Sequence, residues 1–522
     1  MKHNLFKTGV VICLLILLSG SILQTLGGTS DMSSSSQHAW GNDDAFISYC
    51  YARNLAEGKG LVFNPGERVE AYSNFLYVLL MAPAFWVTNN DGAYFFSISL
   101  NLMFACAAFL LFVADLRKRL GESSALAGAL LFALCLLLWV AVASGLETPL
   151  VLAIAIAIWV MTEQVASEPT PRAVYLLCLA MVASLLARAD GFIIVGVALF
   201  YLLLKRQFRA LAVCASVVVA AMGIYELWRV IYYGYPLPNS YYVKVAGPMG
   251  LRVSNAYEQL STIAAIEGLM PFLLVIPFVL VEKIRKAPER SGRIAEEISF
   301  DLVFPVVWLA YWFYIGGDIF WDRFLIVLYP LGIFALLRFF AGNASAKVLT
   351  FVVVTLAVME VAPPLKVDPR FHYRFNEYDC LITAGKFLRQ NYPGKTVATG
   401  AIGKLPFFSG LYTQDMLGLA DPVLAHRSVA DHPFELGHMK YDSDYSLSRK
   451  PDLIADWIQE SLDMSYDLTR AKYEKAGYRV EYLIDTRGTA SGQSIINVEG
   501  ADDTTLRQWV AQGYTLAILV RQ

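Results

Sequence analysis

Charged residues are scarce in this chain. Of its 522 residues, 16% are Asp, Glu, Lys or Arg and 57% are hydrophobic, and the mean hydropathy is +0.49. Soluble globular domains carry about 25% charged residues. The composition therefore excludes an ordinary soluble protein and indicates an integral membrane protein. The formal net charge of −2 comes from balanced totals, so it gives no indication of a nucleic-acid partner.

Sequence motifs for metals and nucleotides are also missing. The seven cysteines are scattered, mostly inside apolar runs, with no CxxC pair and no His/Cys cluster at metal-ligand spacing. No Gly-rich loop follows a predicted strand, as a nucleotide-binding loop would. The cysteines are therefore interpreted as small core residues, and a nucleotide-dependent enzyme is not indicated.

Apolar segments long enough to cross a bilayer as helices recur over the first 363 residues. The first of them follows Lys2 and Lys7 and is also compatible with a cleaved signal peptide. Its apolar core is long for a signal peptide and no small-x-small cleavage site is compelling, so we prefer a retained helix. Eleven spans are predicted, at 8–27, 93–114, 123–142, 149–166, 173–187, 192–204, 210–229, 263–281, 299–315, 324–340 and 347–363.

One further apolar segment, at 74–87, is short and interrupted by proline. Counting it as a span would move the basic segment RKR to the outside, against the positive-inside rule. We expect it to lie on the outer membrane surface as an interfacial helix, with a short true span as the alternative.

Basic residues in the loops set the orientation of the chain. With the amino terminus inside, most loop Lys and Arg face the cytoplasm, as the positive-inside rule requires. These inner loops are 115–123, 167–172, 205–209, 282–293 and 338–347. The loops on the opposite face, called the outer loops, carry isolated charges among Gly, Pro, Asn and Tyr. They are 42–73, 144–148, 188–191, 232–244 and 316–323. Each of their charges alone is typical of an interfacial anchor, but five such loops on one face predict a polar cavity there.

The chain changes character after residue 363. The remainder contains no predicted span and has the size and mixed composition of a soluble domain. We expect a membrane domain at 1–363, whose first outer loop covers about 28–92, and an extracytoplasmic α/β domain at 364–522, called the outer domain. Periodicity predicts helices near 376–391, 451–462, 467–476 and 503–511, and strands at 395–401, 478–485 and 514–520.

Two adjacent acids, Asp43 and Asp44, follow the first span. A carboxylate beside a membrane segment and without a basic neighbour is a functional candidate. Adjacent positions on a helix face different directions, so the two acids need not share one role. The alternative is that both only interact with the amino-terminal end of the helix that they begin.

Three basic residues, Arg188, Lys244 and Arg323, lie at the boundaries of separate outer loops. In a cavity they can bind a phosphate group. The alternatives are contact with lipid headgroups and ion pairs with the nearby acids Asp190, Asp318 and Asp322. The outer face thus offers an acid that can act on a hydroxyl, cations that can stabilise a phosphate leaving group, and a cavity at membrane level. Together these features predict transfer from a lipid-phosphate donor.

Several segments resemble a known family. The first outer loop, DDAFISYCYARNLAEGKGLVFNPGERVEAYSNFLY (43–77), resembles that of the GT-C glycosyltransferases, and most closely that of the terminal arabinofuranosyltransferases that use decaprenyl-phosphate arabinose. The resemblance covers most of the chain. It continues in order through SGLET, RADG, YYGYPLPNSYYVK and GGDIFWDRF, and into 401–421 and 436–454. It departs from the family pattern at Cys50 and Tyr51, and RADG stands where relatives have RPDG or RPEG.

The resemblance implies a polytopic α-helical membrane protein of GT-C type, with about 11 transmembrane helices and a C-terminal extracytoplasmic α/β domain. It implies Asp43 as the catalytic base and Asp44 as a supporting group. The donor-binding candidates are Arg188, Asp190, Tyr232, Asn239, Lys244 and Arg323. The acceptor-side candidates are Glu147, Asp421, His426, His438 and Lys440.

The expected function is transfer of a sugar, arabinofuranose by resemblance, from a polyprenyl phosphate to a cell-envelope glycan at the outer face of the bacterial cytoplasmic membrane. One alternative is the same chemistry with another lipid-linked sugar or on a surface protein such as pilin. Another is a transporter of lipid-linked glycans, which predicts paired half-repeats and charges at mid-span. Some GT-C enzymes use a divalent cation such as Mg, Mn or Ca and others do not. Paired acids suit a hard cation, and the sequence leaves this open.

Overall fold

The computed structural model describes residues 2–26, 41–245, 247–266, 299–318, 323–343, 353–356, 379–428, 434–486 and 495–522. The predicted spans at 263–281 and 347–363 lie mostly outside these residues and stay predictions. Asp322, offered as an ion-pair partner, also lies outside them.

Helices make up the described part of the membrane domain. They are α1 (Lys2–Leu26), α2 (Asp43–Ala56), α3 (Phe75–Met81), α4 (Ala84–Val87), α5 (Asn90–Leu120), α6 (Glu122–Ala133), α7 (Leu136–Ala143), α8 (Thr148–Ser167), α9 (Pro171–Ala187), α10 (Phe192–Leu204), α11 (Phe208–Tyr233), α12 (Asn239–Lys244), α13 (Met249–Ile266), α14 (Phe300–Ile315) and α15 (Tyr329–Asn343). Short 3-10 turns at Ala189–Gly191 and Leu325–Leu328 precede α10 and α15.

The predicted spans that fall on described residues all coincide with apolar helices. Four helices are long and apolar enough to cross a membrane alone: α1 from Asn4, α5, α8 and α11. The pair α6 and α7 is bent by 48° and counts as a fifth, broken span. The remaining four, at α9, α10, α14 and Leu325–Phe340, are shorter apolar helices.

The apolar segment Phe75–Val87 is broken at Pro83 into α3 and α4. Thirteen helical residues would span about 20 Å at 1.5 Å per residue, which is less than the roughly 30 Å hydrocarbon core of a bilayer. Its placement on the membrane surface stays a prediction.

A six-stranded sheet forms the centre of the outer domain, in the order β2-β1-β3-β6-β4-β5. Its strands are β1 (Thr396–Thr399), β2 (Tyr412–Asp415), β3 (Leu453–Trp457), β4 (Tyr478–Ile484), β5 (Ile495–Asn497) and β6 (Leu516–Arg521). β1 runs parallel to β2 and β3, and β6 lies antiparallel between β3 and β4. The helices are α16 (Asp379–Asn391), α17 (Lys404–Ser409), α18 (Pro422–His426), α19 (Ser443–Ser448), α20 (Arg470–Lys475) and α21 (Asp503–Ala511).

The helix predicted near 451–462 is wrong. Leu453–Trp457 is instead strand β3, and its first four residues are buried in succession. β3 lies between β1 and β6, so its backbone is paired on both edges and its side chains are covered on both faces. A short apolar run of this kind has no alternation to separate strand from helix. The sequence also gave no prediction of β2 or β5.

Buried polar contacts fix the outer domain to the first outer loop. The Asn64 side chain, in a residue only 5% exposed, donates to the Thr413 carbonyl at 2.8 Å and accepts from the Thr413 N–H at 3.0 Å. Arg53 donates Nη1 to the Phe407 carbonyl at 2.7 Å and places its guanidinium 4.9 Å from the centre of the Phe407 ring. Because buried backbone groups need hydrogen-bond partners, these contacts define how the two parts dock.

Replacing Asn64 with Ala removes both bonds to Thr413 and leaves a buried N–H and C=O without these partners. We expect the free energy of unfolding to fall by about 1–3 kcal/mol, seen as a lower apparent unfolding temperature and faster proteolysis of the outer domain. Asn391→Ala, which removes only an exposed bond to the Phe387 carbonyl, is the matched control. Equal stability of the two variants would show that Asn64 does not hold the domains together.

Candidate functional site

The structure brings the outer loops together at one end of the helix bundle. The Asn42 N–H donates to the Ser144 carbonyl at 2.8 Å and joins the first loop to the second. The second loop reaches the third through an ion pair between Glu147 and Arg188 at 2.7 Å. The fourth loop reaches the first through Lys244 and Asp44. Four of the five outer loops are therefore joined by direct polar contacts, and the polar cavity predicted among them stays a prediction.

Helix α2 begins at the two acids, but neither of them caps it. The Asn42 side chain accepts the Asp44 N–H at 3.2 Å and serves as the N-cap. Both carboxylates lie in the first turn, where the helix dipole favours negative charge. Because Asn42 supplies the cap, the carboxylates of Asp43 and Asp44 are available for contacts outside their own helix.

The Asp43 carboxylate meets the outer domain. Its Oδ1 accepts the Lys404 N–H at 2.7 Å, and its Oδ2 accepts the Gly403 N–H at 3.1 Å. Burial raises the pKa of Asp43 to about 6, although the two N–H groups act to lower it. A carboxylate held in this way remains ionised at neutral pH and is a stronger base than an exposed one.

The Asp44 carboxylate has a different setting. Its Oδ2 lies 3.3 Å from the Lys244 ammonium. Burial acts to raise the pKa of Asp44, but the positive charges of Lys244 and Arg323 outweigh it and hold this pKa below its ordinary value. His438 of the outer domain adds to the same effect. The two neighbouring acids therefore differ in both partners and basicity.

Arg188 and Arg323 are each paired with acids. Arg188 holds Asp190 with two nitrogens and Glu147 with a third, and its guanidinium lies 4.2 Å from the centre of the Phe324 ring. Arg323 holds Asp318 at 2.6 and 3.1 Å. The acids are buried, so each arginine compensates charge that would be costly alone. The sequence had raised such pairing as the alternative to phosphate binding.

Two donor-binding candidates, Tyr232 and Asn239, have partners other than Arg188 and Arg323. Tyr232 stacks on Trp228 with ring centres 5.4 Å apart, and the Arg68 guanidinium lies 4.6 Å from its ring centre. Asn239 is buried, and its N–H donates to the Glu70 carbonyl at 3.0 Å. Asn239 begins α12, the helix that ends at Lys244, so its visible role is to place that lysine.

The acceptor-side candidates of the outer domain occupy several positions. Asp421 is buried, caps α18 and pairs with Arg449, which gives it a structural role. His426 stacks on Tyr235 and packs at a tilt against Tyr242, with ring centres 4.2 Å from each. The outer domain therefore covers the segment that carries α12.

The other two candidates lie nearby. His438 is stacked near Tyr466 and faces Asp44. Lys440 donates to the Arg427 carbonyl, and burial lowers its pKa. Among the acceptor-side candidates of the outer domain, His438 is thus the one that interacts electrostatically with Asp44.

A polar groove of about 810 Å³ lies between α2 and the outer domain. Cys50, Arg53 and Asn54 form one wall, and the other wall includes Ser409 and Tyr412. Cys50 is seven residues beyond Asp43, so it lies two turns along the same face of α2, about 10 Å away. The sequence predictions did not include this groove. The helical spacing of Asp43, Cys50 and Asn54 could have predicted the first wall. The second wall comes from a distant part of the chain, so the sequence does not indicate it.

The contacts of the two acids bear on the divalent cation considered from the sequence. Both oxygens of Asp43 accept backbone N–H groups, and Asp44 is paired with Lys244. Within the described ranges, no group of three or more His, Cys, Asp or Glu side chains is placed to hold a metal ion. The divalent cation considered from the sequence stays a prediction, and no step of the chemistry below depends on it.

The chain has the GT-C membrane fold, so the predicted fold class is confirmed. It is similar to ArnT from Cupriavidus metallidurans, solved with bound undecaprenyl phosphate, with a TM-score of 0.57 and 12% identity over 98% of this chain and 97% of that chain. It is also similar to the Archaeoglobus fulgidus oligosaccharyltransferase, solved with zinc and sulfate, with a TM-score of 0.56 and 12% identity over 92% of this chain and 72% of that chain.

A third similar structure is the same oligosaccharyltransferase tethered to an acceptor peptide with an NVT sequon, with a TM-score of 0.53 and 11% identity over 92% of this chain and 73% of that chain. A family model described as a domain of unknown function, DUF8728, matches residues 371–509, which is most of the outer domain. No curated protein matches the chain in sequence.

Replacing Arg188 with Gln leaves Glu147 and Asp190 buried without their cation. We expect the free energy of unfolding to fall by about 3–5 kcal/mol. The measurements are the yield of monodisperse protein and the unfolding temperature, and both should decrease. Adding Asp190→Asn should restore part of the loss, because one buried charge is removed. Arg117→Gln, at an exposed pair with Glu122, is the control. If Arg188→Gln were as mild as Arg117→Gln, the buried network would not be structural.

Proposed function

We propose that this protein is a membrane glycosyltransferase. It transfers a sugar, arabinofuranose, from a polyprenyl phosphate to a hydroxyl of a cell-envelope glycan. The observation that carries the proposal is that the two adjacent acids, Asp43 and Asp44, have different partners. Asp43 accepts two N–H groups of the outer domain and lies on the face of α2 that reaches the polar groove at Cys50, about 10 Å further along the helix, and Asp44 contacts Lys244. Glycosyl transfer needs a base for the incoming hydroxyl and positive charge for the departing phosphate, and α2 presents one beside the other.

Asp43 is the base in this proposal. Its raised pKa makes it the stronger base of the pair, and at neutral pH it is ionised. Each of its oxygens accepts one N–H and retains a second lone pair for a hydroxyl. The groove along the same face of α2 offers space and polar side chains for an acceptor. The acceptor O–H loses its proton to Asp43, its oxygen bonds to the anomeric carbon, and the bond from that carbon to the phosphate oxygen breaks.

Lys244 and Arg323 receive the phosphate that leaves. The pair of Lys244 with Asp44 is 3.3 Å long, and its side chains are 30% and 24% exposed, so it is weak enough to exchange for a phosphate. Arg323 is held by Asp318 and adds fixed positive charge. The similarity to ArnT with bound undecaprenyl phosphate supports a polyprenyl phosphate as donor.

The site belongs to the outer face of the bacterial cytoplasmic membrane in this proposal, since the loops predicted on the inner side carry most of the loop Lys and Arg. The membrane domain at 1–363 would hold the donor among the membrane lipids, and the outer domain at 364–522 would border the acceptor. A surface protein is the second candidate acceptor, because an oligosaccharyltransferase of similar fold was solved with an acceptor peptide.

Asp43→Asn should reduce transfer by at least about 100-fold, because positioned general bases contribute roughly 10² to 10⁴ in rate. The measurement is transfer from decaprenyl-phosphate arabinose by purified protein in lipid nanodiscs. Asp503→Asn, at an exposed pair with Arg470, is the folded control. Asp44→Asn should lower the KM for the donor, because it removes a negative charge that competes with the phosphate for Lys244. Undiminished transfer by Asp43→Asn would exclude Asp43 as the base.

The rate should fall as the pH decreases through about 6, because Asp43 then takes up a proton and cannot accept another. Each further pH unit should cost about tenfold in kcat. The residual activity of Asp43→Asn should lack this acid limb. An acid limb that persists in Asp43→Asn would assign it to another group.

A panel of lipid-linked sugars and acceptors identifies the substrate. Transfer of arabinose to a glycan is the expected result. Transfer of another sugar, or transfer to a peptide, would move the protein to the alternative transferases. Movement of an intact lipid-linked glycan across a proteoliposome membrane, with no transfer from any donor, would indicate a transporter.

A further inference from the structure

The turn at Gly403 and Lys404 approaches the first acid so closely that it leaves no room for a side chain. A Cβ added at Gly403 would lie 1.9 Å from the Asp43 carbonyl oxygen and 2.6 Å from its Cγ. Backbone atoms cannot give way at such distances. Glycine at 403 therefore allows both N–H groups of the turn to reach the Asp43 carboxylate.

The lysine of this turn enters the same space. Lys404 is fully buried, with its ammonium 6.0 Å from the centre of the Phe46 ring. Its positive charge opposes the effect of burial on the pKa of Asp43. A buried ammonium is costly without nearby negative charge or π density, and this one lies where both are found.

Helix α17, which starts at Lys404, is fixed against α2. The Phe407 ring packs edge-on against Phe46, with ring centres 5.3 Å apart, and its carbonyl accepts from Arg53. The turn is therefore set at a fixed position relative to Asp43, although 360 residues separate the two in sequence.

We propose that the Gly403–Lys404 turn is a positioning element of the catalytic centre, through which the outer domain orients the Asp43 carboxylate for proton transfer. This inference rests on the proposed role of Asp43 as base. It assigns a function to the domain matched at 371–509, since that domain supplies the donors that hold the base. The active site is then complete only when the outer domain is docked.

Loss of the contacts from the turn should change the pH dependence of the transfer rate. Hydrogen bonds and positive charge favour an ionised carboxylate, so removing them while Asp43 stays buried raises its pKa. The acid limb of the rate should move to higher pH. Charged groups that face Asp43 are Asp44 on its own helix, which raises this pKa, and Lys404, which lowers it. Since His438 faces Asp44 and an imidazole adds its own pH dependence, all profiles are also recorded in a His438→Gln background.

The experiment compares Gly403→Ala and Lys404→Met with the wild type. Gly403→Ala displaces both N–H groups, whereas Lys404→Met keeps the backbone and removes the charge. Both should shift the acid limb upward by at least half a pH unit. Gly403→Ala should lower kcat at pH 7 about tenfold or more, with the donor KM changed less than twofold. Gly250→Ala, where an added Cβ meets no atom within 4 Å, is the matched control and should leave both quantities unchanged.

A second readout does not need activity. The protonation of Asp43 is followed by the carboxyl C=O band in infrared difference spectra of wild type minus Asp43→Asn. Its midpoint should rise in both turn variants. An unchanged midpoint in folded Gly403→Ala would overturn the inference, and if that variant does not fold, an unchanged midpoint in Lys404→Met would do so. A shifted midpoint without any transferase activity would keep the contact and reject the proposed function instead.

Discussion

The carboxylate of Asp43 is where the membrane domain and the outer domain depend on one another. It belongs to the first turn of α2, yet its two hydrogen-bond donors come from residues Gly403 and Lys404. A charge beside a membrane must be compensated, and here the compensation is supplied by a domain that follows the described membrane helices in the chain. Docking through Asn64 and Arg53 sets the same alignment. Charge compensation and domain docking are thus one arrangement.

Much of the fold follows from hydropathy and loop charge. The spans on described residues coincide with apolar helices because a bilayer requires long apolar runs with internally paired backbone. The outer domain was harder to predict. Its β3 was expected as a helix, since a five-residue strand paired on both edges shows no alternation, and short β5 gave no signal. Strands of that length are defined by their neighbours in the sheet, and a single sequence does not reveal those neighbours.

The sequence identified the loops that form the candidate site, but it did not show which charged side chains of these loops pair with one another. Glu147, Arg188 and Asp190 were all predicted as site residues, and the structure joins them in one network. Tyr232 was predicted with them and lies among other aromatic rings. The partners of Asp43 were not foreseen, because glycine and a backbone N–H carry no chemical signature and the contact depends on how two domains dock. Side-chain chemistry is visible in a sequence, whereas the geometry of backbone donors is not.

The position of β6 has a consequence for biosynthesis. This strand follows every other described strand in the chain, yet it lies between β3 and β4 in the sheet. The hairpin of β4 and β5 has no edge to join until Leu516–Arg521 has been synthesised and inserted. The outer domain therefore cannot be completed strand by strand in the order in which it is synthesised. Asp43 is synthesised early, but the domain that carries its donors, Gly403 and Lys404, is complete only after β6 has been made.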